Sequence, residues 1–139
     1  MTQGHRKILL PKATSIILVC AAMMLASCSS EPRKLSAAEQ EIYSQQVRCY
    51  GADECTKLWR KAQVWAATHS GYKIQTATDS IIDTYNAMAY STSWAIRIIR
   101  VPGPQDVDEL QIFPDCGPAP LCRETKAEIV VDFKRAMIR

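Results

Sequence analysis

The chain has 139 residues, enough for one domain and too few for two of ordinary size. With 47% hydrophobic residues, seven prolines and five glycines, its composition is globular rather than disordered. The formal charge of +3 lies in residues 1–27 (Arg6, Lys7 and Lys12, with no acid), and the remainder, with 14 basic and 14 acidic side chains, lacks the basic excess that a nucleic-acid partner requires.

The N-terminal segment reads as an address. Basic residues through Lys12 precede an apolar run, Ile16–Ala26, and small residues follow it. These 11 apolar residues fall short of the span that crosses a bilayer, about 20, and the layout is that of a secretory signal peptide. Leu25-Ala26-Ser27-Cys28 resembles the lipobox of bacterial lipoproteins. The resemblance implies cleavage after Ser27, with lipid on the Cys28 sulfur and its new amino group, so membrane lipid is the first expected partner. Cys20 competes for that role, but the branched Val19 stands before it where a small residue belongs. By the same resemblance, Ser29 implies sorting to the outer membrane, with the domain facing the periplasm. Several acyl chains, at about 0.8 kcal/mol per buried methylene, make a lasting anchor. Residues 1–27 are then a signal peptide, 28–35 a lipidated tether and 36–139 a single domain. Fully extended, Ser29–Lys34 spans at most roughly 20 Å. Beyond the lipobox, the domain resembles small proteobacterial lipoproteins in general character only.

Within the domain, Ser36-Ala37-Ala38-Glu39 fits a capping box, and a first helix is expected from Ala37 to about Arg48. Asp53 is a good N-cap for a second helix, Glu54–His69. Its Leu58, Ala62, Trp65, Ala66 and His69 form a core-facing stripe that Trp59 widens. From Tyr72 to Phe113 the pattern turns to β. Lys73–Asn86 makes one strand with a bulge or bend at Thr78-Asp79-Ser80, and Ser93–Val101 another, with Trp94, Ile96 and Ile98 on one face. After the Pro102-Gly103-Pro104 break, Val107–Phe113 makes the third, with Leu110 and Ile112 inward. A last helix spans Leu121–Ile138, with Thr125, Ile129, Phe133, Ala136 and Met137 on its inner stripe. The expected fold is α+β: a two-layer domain in the order α-α-β-β-β-α, a three-stranded antiparallel meander packed against helices.

Removing Cys20 and acylating Cys28 leaves Cys49, Cys55, Cys116 and Cys122, an even set in an exported chain, so disulfides are expected. Four cysteines allow three connectivities. Turn residues inside each C-x5-C spacing favour Cys49–Cys55 and Cys116–Cys122, each contributing about 2–2.5 kcal/mol in the chain-entropy model. A zinc site is the rival, but its ligand spacing is normally shorter. No metal and no cofactor is expected.

Candidates for chemistry are few. His69 is the one histidine left after processing, at a helix end where its ring meets the last carbonyls favourably. As a catalytic base it would need a nucleophile and a carboxylate, with Ser70 and Asp79 nearby in sequence. Asp106, Asp108 and Glu109 form an acidic cluster after the Pro-Gly-Pro turn, a candidate interaction surface or a solvated turn that discourages edge pairing. Trp59, Trp65, Trp94, Tyr72 and Tyr85 suit a core better than a sugar groove, and Arg97 and Arg100 suit an outward charge ladder. No nucleophile elbow, phosphate loop or reactive thiol pattern is present in the sequence, so no enzyme is expected. The expectation is a non-catalytic protein-interaction module, anchored in the outer membrane and facing the periplasm. Its partner would be an envelope protein in assembly, secretion or maintenance. The alternative is an immunity or inhibitor lipoprotein that neutralises a toxin or hydrolase in the periplasm, with the acidic turn as its plug.

Overall fold

The computed structural model describes residues 33–118 and 121–139, and residues 33–139 make up one compact unit. The expected signal peptide, Cys20, the lipobox-like Leu25-Ala26-Ser27-Cys28, and Ser29 lie outside the described residues. Among the described residues no helix is long and apolar enough to cross a membrane.

Helix α1, Ala37–Ser44, starts on the expected capping box: the Ser36 hydroxyl accepts from the Glu39 N–H, and the Glu39 carboxylate accepts from the Ser36 N–H. It buries no residue and ends four residues early. The next residues are strand β1, Val47–Tyr50, because they alternate: Val47 and Cys49 are buried, Arg48 and Tyr50 exposed. A period of two overrides the helical spacing of Ile42, Tyr43 and Val47. Gly51, at φ +72°, turns the chain straight from β1 into α2, Gly51–His69. A side chain there would be strained. The helix therefore begins before Asp53, and Glu54 caps backward onto the Tyr50 N–H at 3.3 Å. Cys55, Trp59, Ala62, Trp65 and Ala66 form its buried stripe, while His69 at its end is exposed.

The expected strand at Lys73–Asn86 is a hairpin, β2 (Ile74–Ala77) and β3 (Ile81–Thr84). Thr78 makes the turn: its Oγ1 accepts the N–H groups of Ser80 and Ile81. Strand β4, Ala95–Pro102, and strand β5, Val107–Asp115, follow, joined by a 3-10 turn at Pro104–Asp106. Helix α3, Lys126–Ile138, starts later than expected, since Thr125 is its N-cap and not part of its stripe.

The domain is α+β, but the three-stranded meander and the α-α-β-β-β-α order are overturned. The elements run α-β-α-β-β-β-β-α, and the sheet has five antiparallel strands in the order β1-β5-β4-β3-β2. Strands β2 to β5 form the sequential part; β1 crosses over to pair with β5, Val47 opposite Leu110 and Cys49 opposite Asp108. Helices α2 and α3 pack on one face of the sheet, and α1 packs on α3. Ile82, Ile96, Ile98 and Leu110 from the sheet meet Trp59 and Trp65 of α2 and Phe133 and Met137 of α3. Trp65 and Phe133 pack edge to face with ring centroids 5.1 Å apart.

The strand assignment of residues 47–50 has a direct test. Val47→Ala should cost about 2 kcal/mol by urea unfolding, through lost burial and a residual cavity. Arg48→Ala should stay within about 0.5 kcal/mol. On an exposed helix both substitutions would be nearly silent.

Candidate functional site

The four domain cysteines form the two local bridges. Cys49–Cys55 ties the end of β1 to the first turns of α2, with Cα atoms 5.0 Å apart. Cys116–Cys122 ties the segment after β5 to the approach to α3, with Cα atoms 6.3 Å apart. Asp108 lies against the first bridge, and the two sulfurs and a carboxylate oxygen fall within 4.8 Å of one another. Both sulfurs are consumed by the S–S bond, so the cluster offers no thiolate to a metal.

The acidic residues are not one patch. Asp108 points to the helix-covered face, where the Arg100 Nε donates to its Oδ2 at 2.6 Å. Glu109, one residue on in the strand, faces the opposite side of the sheet opposite Arg48 and accepts from the Gln111 side-chain amide at 3.1 Å. Asp106 stands exposed in the turn. Its φ is +57° and that of Gln105 +60°, a left-handed pair without glycine. Such conformations persist where the surroundings hold them, often at sites of function.

That turn roofs a hollow of about 380 Å³ on the sheet face that no described helix covers. Tyr50, Val101, Pro102, Pro104 and Val107 line it, with Arg48 and Glu109 at its rim. The same sheet face continues through Ile99, Ile81 and Phe113, and Tyr50, Val101, Ile81 and Phe113 are each more than a third exposed. Arg97 crosses this face to Asp83 at 2.6 Å, and the carboxylate raises its already high pKa. Both arginines are thus paired, but Arg100 lies on the helix-covered face and Arg97 on the other, so the expected outward ladder does not form. The sequence alone does not reveal the hollow, because Val47 and Arg48 continue the helical pattern of α1 and Tyr50 reads as a turn residue.

His69 lies elsewhere. Its Nδ1 is 3.0 Å from the Trp65 carbonyl oxygen and 2.9 Å from Thr68 Oγ1, its Nε2 is 3.4 Å from Asp132, and its ring stacks on Trp65. Neither Ser70 nor Asp79 joins it: the Ser70 hydroxyl donates to the Trp94 carbonyl. The three tryptophans are buried, while Tyr72 hydrogen-bonds Ser91 and Tyr85 is exposed.

A second groove, about 520 Å³, is lined by His69 and Asp132 together with Arg33, Glu39 and Glu128. The sequence places Arg33 in the tether, but its guanidinium bridges Glu39 at 3.0 Å and Glu128 at 2.7 Å. Each glutamate belongs to a capping box. The Ser36 backbone N–H, then the Ser36 hydroxyl and Arg33, hold the Glu39 carboxyl below the usual glutamate value. The Thr125 N–H does the same for Glu128, again with help from Arg33. Arg33 therefore clips the start of the compact unit to the first turn of α3.

The chain matches no family model, no curated protein and no solved structure.

The division of the acidic residues is measurable. Asp108→Ala, which strands a mostly buried guanidinium, should lower unfolding stability by about 2 kcal/mol. Asp106→Asn, which keeps a residue that tolerates the left-handed φ, should change it by less than about 0.5 kcal/mol. Equal small effects would mean that the Arg100–Asp108 pair is not structural.

Proposed function

We propose that this protein is a lipoprotein anchored in the outer membrane through Cys28, whose periplasm-facing domain is a non-catalytic interaction module for an envelope protein. The observation that carries the reading is Leu25-Ala26-Ser27-Cys28, a lipobox-like ending placed five residues before the compact unit begins at Arg33. The two disulfides agree with export to an oxidising compartment. The hollow under the Pro102–Asp106 turn suits one apolar side chain of a partner, with Arg48 and Glu109 to orient the groups around it. The inhibitor alternative loses its acidic plug, since Asp108 is committed to Arg100 and Glu109 faces away from it.

Cys28→Ala should abolish incorporation of labelled palmitate and shift the protein from the membrane to the soluble periplasmic fraction, with its unfolding temperature unchanged. A photo-crosslinker at Gln105 should capture an envelope protein in intact cells from the anchored form and not from the released one. Function fully retained after release would count against the reading.

A further inference from the structure

We propose that one end of the domain, an uncharged tip built from the β3–β4 loop and from Leu121 beside the Cys116–Cys122 bridge, rests in the headgroup region of the bilayer; this rests on the lipid-anchor reading above. Residues 84–96 and 116–122 contain no charged side chain, in a chain where 22% of residues are charged. At the tip Met88 is 71% exposed, Tyr90 73% and Leu121 58%. Single exposed apolar residues are ordinary, but here they sit on two loops that the fold fastens together. The Leu121 N–H donates to the Ser91 carbonyl at 2.9 Å, and the Tyr72 hydroxyl meets the Ser91 hydroxyl at 2.8 Å. Gly117, at φ +80°, lies so close that a Cβ would stand 2.5 Å from the Met88 carbonyl oxygen. The disulfide Cys116–Cys122 closes the second loop. The exposed side chains are thus held out by a rigid base, so seating them costs little ordering entropy.

The position of the tip identifies its occupant. Arg33 lines the same groove as Thr92 and Glu124. Thr92 is two residues from Tyr90, and Glu124 three from Leu121, so the chain enters the domain at the tip end. Cys28 precedes Arg33 by five residues, a reach of at most about 18 Å. An acylated Cys28 holds this end, and not the Pro102–Asp106 end across the length of β4, against the membrane. Tyr, Met and Leu suit the boundary between headgroups and acyl chains.

The test uses the lipidated full chain in vesicles of phosphatidylethanolamine and phosphatidylglycerol carrying a diazirine at the headgroup end of one acyl chain. After irradiation, label mapped by mass spectrometry should concentrate on residues 85–91 and Leu121–Arg123 and be absent from Pro102–Asp106. Met88→Glu with Tyr90→Asp should lose the tip label without changing the unfolding temperature, since both positions are exposed and Asp tolerates the left-handed φ of +60° at position 90. Label spread evenly, concentrated on Pro102–Asp106, or unchanged in the variant would overturn the proposal. Intact mass separates the two readings. A chain without acyl groups on Cys28 removes the anchor and this proposal with it. An acylated chain with an unlabelled tip removes this proposal alone.

Discussion

Strand β5 is the piece on which the rest of the domain depends. It holds β4, its neighbour in the chain, on one side and β1, from far upstream, on the other. Without the β1 pairing, β1 would have no sheet to join, and the Cys49–Cys55 bridge would tie α2 to a loose end. With it, the bridge, the Arg100–Asp108 pair and the buried Val47 all meet at one corner of the covered face. Long-range pairing of this kind carries a loop-closure cost that local hairpins avoid. Here a buried strand face and a cross-link just beyond it offset that cost.

Much of the fold was legible where periodicity was strong. The stripe of α2, the inward Ile96 and Ile98, and the break at Pro102-Gly103-Pro104 were all readable from spacing. The errors came from short elements. Val47–Tyr50 offers only two inward residues, too few for a period of two to outweigh the helix before it. Thr78-Asp79-Ser80 reads as a bulge or bend, but one threonine hydroxyl accepting two N–H groups makes it a complete hairpin turn. The start of α3 could have been found: Thr125-Lys126-Ala127-Glu128 repeats the spacing that located α1 at Ser36-Ala37-Ala38-Glu39. The helical spacing instead places Thr125 on the inner stripe.

The candidate surfaces were less legible, because sequence adjacency misleads in a strand. Asp108 and Glu109 are neighbours in the chain and lie on opposite faces of the sheet. What looked like a single acidic patch is a structural ion pair, a face-lining glutamate and an exposed turn carboxylate. Conversely, Tyr50, Val101 and Val107 are scattered in sequence and line one hollow. The two loops of the tip are likewise separated in the chain and joined by hydrogen bonds around Ser91. The domain therefore has a helix-covered face that supplies stability, a sheet face that no described helix covers, and an end whose loops carry no charge.

Native-state hydrogen exchange tests the dependence on β5 most directly. The amides through which β1 and β5 pair should exchange only in global unfolding, at the same free energy as those between β4 and β5. Exchange of the β1 amides at the fast rate of the exposed β2 edge, with β4 and β5 still protected, would mean that β1 is an appendage and not the closing strand of the sheet.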